Sequence, residues 1–170
     1  MVQTIEIRDY ASGDGVICHR LRKSTFLDVF SETLTYEEAR AGAYSYNAVE
    51  FSERISSMET YIATTGGAIV GFCTMRIDSP VRAEVLYLYI DSKYQRAGIG
   101  THLVQHSEEM VKRTHPLIST LYLDTAVPDY NQRFWVRMGY GYDGPSTCIY
   151  PNGKIPAIRL KKNVMSPDGQ

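Results

Sequence analysis

No stretch narrows the folds open to this chain more than residues 83–101, AEVLYLYIDSKYQRAGIGT. Residues 85–90 are apolar or aromatic, with the length and bias of a buried strand. A short polar turn, Asp91-Ser92-Lys93-Tyr94, follows. Gln95-Arg96-Ala97-Gly98-Ile99-Gly100 comes next, and then a helical pattern in which Ile99, Leu103, Ser107, Met110 and Val111 share one face. A helix begins with amides that have no partner inside it, and its dipole makes that end positive. Strand, glycine turn and helix in this order form a cradle for phosphate. Gly98 and Gly100 carry no Cβ, so a diphosphate can come close to the main chain. Gly-Lys-Ser/Thr is missing, which argues against a nucleoside-triphosphate loop. Position 103 is Leu rather than Gly, so the G-x-G-x-x-G of dinucleotide folds is incomplete.

The 170 residues suffice for one domain with a sizeable core. Net charge is -1, which gives no general attraction to nucleic acid or to an anionic membrane, and neither partner is expected. No apolar run approaches membrane-spanning length, and MVQTIEIRDY lacks a signal-peptide layout. Cys18, Cys73 and Cys148 are odd in number and far apart, which fits neither a disulfide framework nor zinc spacing. Each reads as a small buried apolar residue in a reducing compartment, and a cytoplasmic protein is expected.

Before the phosphate loop, residues 4–8 alternate as a first strand. Asp14 is placed to cap a helix whose Val16, Ile17, Leu21, Thr25 and Val29 recur at helical spacing. Thr35-x-x-Glu38 and Asn47-x-x-Glu50 open two further short helices. Residues 61–64 and 68–72 form a hairpin around Gly66-Gly67. Residues 81–90 are the fourth strand, 98–114 the central helix and 121–124 a fifth strand, parallel to the fourth because a helix joins them. Residues 129–138 form a short helix stopped by Gly139. Residues 140–142 and 147–150 read as a strand interrupted by a turn at Asp143-Gly144-Pro145. Residues 158–161 are the last strand, and 166–170 read as a loose tail. The order β-α-α-β-β-β-α-β-α-β-β is α/β with mixed strand directions.

Q-x-x-G-x-G directly after a strand, in this order of elements, resembles the GNAT superfamily of N-acetyltransferases, whose central motif is [Q/R]-x-x-G-x-[G/A]. The resemblance covers residues 3–162 and includes Gly139-Tyr140, similar to the family's Gly-Phe, and the basic finish Leu160-Lys161-Lys162. It implies a single domain over residues 1–163, with 164–170 as a tail. It implies a mixed central sheet with helices on both faces, in which parallel strands four and five splay apart. It also implies acetyl-CoA as co-substrate, no metal, and a small-molecule or peptide amine as acceptor. A homodimer is common in the family, though this sequence carries no interface signal.

Residue by residue, the resemblance gives the diphosphate to the main chain of Gln95, Arg96, Ala97, Gly98, Ile99, Gly100 and Thr101. It gives the pantetheine arm to the strand backbone at Leu88, Tyr89 and Ile90, by the pairing physics of an added strand. Arg96 is either a phosphate partner or a solvated loop arginine. Asn131, Phe134 and Trp135, on the helix after strand five, complete the cofactor set. Asn131 either bonds the pantetheine or starts that helix; Pro128 holds the position where the family often has an Asn.

An acceptor amine is protonated near neutral pH and must lose a proton before it attacks, which calls for a base. Glu84 is the candidate, because a Glu inside so apolar a strand needs a reason. Its spacing to Gln95 resembles that of the base in the histone-acetylating branch. The other readings are a solvated strand end, or a pair with Arg82 or Arg76. Trp135 stands where many members have the tyrosine that protonates the departing thiolate, and indole N–H does not release its proton. Tyr130, Tyr140 and Tyr142 are the substitutes. His102 and His106 have metal-ligand spacing, but Leu103 breaks the zinc-protease motif.

Residues 28–59, one wall of the acceptor site by resemblance, hold Asp28, Glu32, Glu37, Glu38, Glu50, Glu53 and Glu59 against Arg40 and Arg54, together with five aromatic residues. That balance suits a cationic amine, while solvated helix faces and caps are the other reading. Trp135 favours a second function, an acetyl-CoA-binding sensor or partner module without turnover; Glu84 and the complete loop favour transfer.

Overall fold

The computed structural model describes residues 4–164. Seven strands form one sheet in the order β1-β2-β3-β4-β5-β7-β6. They are β1 (Ile5–Asp9), β2 (Glu59–Thr65), β3 (Ala68–Ser79), β4 (Arg82–Ile90), β5 (Thr120–Thr125), β6 (Gly141–Tyr150) and β7 (Gly153–Asn163). The helices are α1 (Asp14–Asp28), α2 (Tyr36–Ala43), α3 (Ala48–Ser56), α4 (Ile99–Thr114) and α5 (Pro128–Arg137). Every neighbour pair is antiparallel except β4–β5, which is parallel as the crossover through α4 requires. Helices cover both faces, and each face has its own apolar core. Ile99, Leu103, Val104 and Val111 of α4 pack on Val85, Leu121 and Leu123. Phe26, Phe51 and Ile55 of α1 and α3 pack on Ile62, Phe72, Tyr87 and Tyr89.

Local signals decide where most elements begin. Thr35 and Asn47 each form a complete capping box, with Glu38 and Glu50 reaching back to the cap amide. Gly66 and Gly67 both have positive φ and turn the β2–β3 hairpin. Pro128 sits in the first turn of α5, where a missing N–H costs nothing, so this helix begins one residue before Asp129.

Several local expectations differ from the structure. Asp14 does not cap α1: Gly13, with φ +97°, is the cap residue. The Asp14 carboxylate instead accepts from the Ala11 amide at 2.8 Å and from Arg8 at 2.7 and 3.0 Å. The buried stripe of α1 is Cys18, Arg22, Thr25 and Phe26, whereas Val16 and Ile17 face out. An arginine at the centre of that stripe hides it from a hydrophobicity pattern. The two short helices expected at Thr35 and Asn47 both lie between α1 and β2, one more than the order β-α-α-β-β-β-α-β-α-β-β counts. Gly144, with φ +127°, marks a bulge inside a continuous β6 rather than a turn, because β7 pairs with β6 on both sides of it. Cys148 is only half-buried, unlike Cys18 and Cys73. The expected tail at 166–170 lies outside the described residues.

Candidate active site

The site is made by a failure of pairing. β4 and β5 are hydrogen-bonded only where Arg82, Ala83 and Glu84 face Thr120, Leu121 and Tyr122. Beyond that point β5 follows β7, through Leu123–Leu160 and Asp124–Arg159, while β4 follows β3. A wedge opens between them, with Glu84 at its apex and the rest of β4 offering an edge without a neighbouring strand.

β4 also carries an extra residue. Tyr87 faces Thr74 and Val85 faces Met75, so Leu86 is bulged out. Strand residues alternate between faces, and one inserted residue reverses the phase. Ala83 and Val85 therefore join the α4 core, while Tyr87 and Tyr89, which would otherwise share their face, join the opposite one. Glu84 lies between Ala83 and Val85 and projects to the same side as the two tyrosines.

At the mouth of the wedge stands the loop before α4. Arg96 and Gly98 have positive φ, 65° and 79°, and Gly98 is the helix cap. The first helical bond is donated by His102 to Gly98. Among the described residues no protein acceptor is paired with the amides of residues 96–101. A Cβ at Gly98 would meet open space, so a ligand has room there. Gly100 plays a different part: its missing Cβ faces the Phe134 ring at 3.5 Å and lets α5 lie over the first turn of α4. Gln95 anchors the loop, donating to the Ile90 carbonyl at 3.2 Å and accepting from the Tyr130 hydroxyl at 2.8 Å. The Arg96 side chain is exposed and makes no ion pair among the described residues.

Within the wedge lies a cavity of about 360 Å³. Glu84, Leu88, Tyr89, Asn131 and Trp135 line it; Ile90, Phe134 and the loop residues stand outside its wall. Asn131 is the fourth residue of α5 and does not start it. Its Oδ1 accepts from Thr125 at 2.8 Å, fixing the amide at the cavity edge. That leaves its NH₂ group free to donate.

Glu84 is buried, with 6% of its surface exposed, and accepts from Arg76 on β3, directly opposite in register. Burial pushes its carboxyl up from the ordinary value. The Arg76 charge pulls it back, the nearby Asp124 adds to the rise, and the net direction is upward. Asp124 is held by Arg159 in a two-pronged pair at 2.8 and 2.9 Å.

None of the three substitute tyrosines reaches the cavity. Tyr140 is buried against Trp135 and donates to Glu108 at 2.7 Å; burial, with Glu108 adding to it, pushes its hydroxyl well up. Tyr130 is engaged with Gln95, and Tyr142 is exposed on β6. The tyrosines on the wall are Tyr46, Tyr87, Tyr89 and Tyr150, and burial pushes the Tyr89 hydroxyl up to about 12. Cys148 also lines the cavity, but burial pushes its thiol up to about 11, the opposite of an activated nucleophile. His106 meets the Tyr61 ring edge-on at 5.0 Å, and among the described residues no cluster could hold a metal.

The seven acids of residues 28–59 stand off the cavity. Glu38 and Glu50 cap helices, Glu59 meets His115, and the other four are exposed. The charged residue that this wall gives to the cavity is Arg54, beside Phe26, Phe30 and Tyr46. Arg54 entered the sequence reading only as a counter-charge in residues 28–59, and Tyr87 and Tyr150 escaped it, because α3, β4 and β6 meet only through the tertiary fold. Arg76 carried a signal, its choice as a partner for Glu84.

A splayed parallel strand pair with helix-start amides at its mouth, unpaired among the described residues, is the arrangement that the resemblance to acetyl-CoA-dependent transferases implies. The sequence profile of the acetyltransferase (GNAT) family matches residues 20–140, and the chain belongs to that family of acetyl-CoA-dependent N-acetyltransferases. The fold is similar to that of a GCN5-related N-acetyltransferase from Rhodopseudomonas palustris, at 21% identity and TM-score 0.83, covering 96% of this chain and 99% of the other. It is similar to the PaiA N-acetyltransferase of Thermoplasma acidophilum, solved in complex with coenzyme A, at 17% identity and TM-score 0.77, covering 95% and 99%. The ribosomal-protein-S18-alanine N-acetyltransferase of Escherichia coli aligns at 17% identity and TM-score 0.70, covering 98% and 99%. No curated protein matches the chain.

Proposed function

We propose that this protein transfers the acetyl group of acetyl-CoA to a primary amine by direct attack within a ternary complex, with Glu84 as general base. The observation that carries the reading is the wedge itself, a buried carboxylate at its apex and unpaired amides at its mouth. The amides of residues 96–101 suit a diphosphate, by hydrogen bonding and by the positive end of α4. The free edge of β4 at Leu88, Tyr89 and Ile90 suits the amides of a pantetheine arm. Asn131 adds one donor, Phe134 packs over Gly100 at the start of α4, and Trp135 closes the cavity wall beside it. Acetyl-CoA supplies an activated thioester, a carbonyl with a thiolate leaving group.

Glu84 takes a proton from the acceptor ammonium, directly or through one water, and frees the nitrogen lone pair. Its raised carboxyl makes it a stronger base than a surface glutamate. The C–N bond forms as the C–S bond breaks, the electron pair leaves with sulfur, and the second amine proton follows. Acetylated amine, CoA thiol and one proton result. A free thiol of pKa about 8.5 is a tolerable leaving group, so the reading assigns no acid residue to this step.

The test is CoA release from acetyl-CoA across a panel of amines, comparing wild type with Glu84→Gln. A loss of about 10²-fold or more in kcat, with acetyl-CoA binding kept, is expected. Equal turnover by the variant contradicts the role of Glu84. Trp135 in place of a tyrosine favours a second reading, a binding module; acetyl-CoA binding with no acceptor-dependent release would support that one.

A further inference from the structure

We infer that the acceptor carries a carboxylate as well as its amine, and that Arg54 binds the carboxylate; this rests on the transfer reading above. The argument begins with charge inside the cavity. Four charged side chains line it: Arg54, Arg76, Glu84 and Asp124. Glu84 is satisfied by Arg76, and Asp124 by Arg159. Arg54 has no carboxylate among the described residues. Its Nε donates to the Tyr87 hydroxyl at 2.9 Å, and its guanidinium lies 5.2 Å from the Tyr46 ring centre. These contacts fix the plane of the group and leave both terminal nitrogens without a protein acceptor among the described residues. That pair of parallel N–H donors matches the two oxygens of a carboxylate.

A second cation lies behind the same wall. Arg22 is 1% exposed, ringed by Phe26, Tyr46, Phe51, Tyr87 and Tyr150 at 5.0–6.0 Å. Its Nη1 donates to the Gly42 carbonyl at 2.9 Å, while Nε and Nη2 have no partner among the described residues. A buried charge without a counterion is costly, and aromatic faces offset only part of the cost. Four of its five rings also line the cavity, so an anion seated there completes an arrangement that the protein leaves electrically open. The acids that favoured a cationic acceptor point elsewhere. The amine end of such a molecule belongs at Glu84, on the same face of β4 as Tyr87.

Binding and turnover are read separately. CoA-saturated protein is titrated by calorimetry with L-amino acids, their C-terminal amides, the corresponding decarboxylated amines, and short peptide amides with an acidic second residue. Carboxylate-bearing amines are expected to bind at least tenfold more tightly than neutral or purely cationic ones. Arg54→Gln, a change on the half-buried side of α3, is expected to erase the difference, and Arg54→Lys to restore part of it. Free amino acids against acidic peptides tells which source supplies the carboxylate. Equal or weaker binding of every carboxylate, or an unchanged preference in Arg54→Gln, overturns the inference. The same panel in the CoA-release assay judges the transfer reading alone. Carboxylates that bind without turnover count against transfer and leave the Arg54 site standing; turnover confined to neutral amines does the reverse.

Discussion

Glu84 owes its chemistry to its address. On a surface strand it would titrate with other glutamates, near 4.3. Here burial raises its carboxyl against the pull of Arg76. If Glu84 is the base, as proposed, it must be ionised to take the amine proton, and kcat/KM is expected to gain an ascending limb as pH rises through that raised value. The limb lies above the ordinary glutamate value and is expected to vanish in Glu84→Gln; a wild-type limb at the ordinary value contradicts the burial argument. Asp14 behaves in the opposite sense. Burial pushes its carboxyl up, but hydrogen bonds from Arg8 and the Ala11 amide outweigh that and hold it below its ordinary value. A lowered carboxyl stabilises the fold above the unfolded value near 3.9, and the contribution disappears as pH falls through the folded value. Asp14→Asn is expected to cost about 1 kcal/mol at pH 7, since Arg8 is partly exposed, and the difference should fade in acid. Denaturant midpoints across pH measure it.

Elements here are specified unevenly. Capping boxes at Thr35 and Asn47, the Gly66-Gly67 hairpin and the loop around Gly98 depend on neighbours within four residues, so all were legible in the sequence. Replacing Asn47 with Ala removes the Oδ1 acceptor shared by the Val49 and Glu50 amides and should lower stability by about 1 kcal/mol, read from thermal or urea unfolding. The buried face of α1 was illegible, because Arg22 occupies its centre and two apolar residues lie outside. So was the Leu86 bulge: one extra strand residue leaves no mark on composition, yet it decides which side Tyr87 and Tyr89 take. The crossing of α1 on α3 depends on Gly15. A Cβ there would lie 2.8 Å from the Ser52 Cα, a backbone atom that cannot swing aside. Gly15→Ala is expected to cost about 1–3 kcal/mol and to weaken acceptor binding more than acetyl-CoA binding, because α3 carries Arg54.

At the scale of the whole molecule, one departure from regular pairing organises the function. The sheet could have stayed closed between β4 and β5. Instead each strand follows its outer neighbour, and the two apolar cores, one per face, hold the wedge open. The order of elements was readable because helix and strand periodicities are local, and the parallel pair followed from the crossover through α4. The acceptor side was not readable. Arg54, Tyr87 and Tyr150 are far apart in sequence, and the acids that dominate residues 28–59 turn out to serve caps and solvent. The central claim is that acetyl-CoA lies in the wedge, its diphosphate on the amides of residues 96–101 and its arm along β4. Residue-resolved amide hydrogen exchange with and without CoA tests it most directly. Slowed exchange at residues 96–101 and in the second half of β4, with β1 unchanged, is the predicted result. Unaltered exchange at those amides under saturating CoA, or protection confined to another part of the sheet, contradicts it.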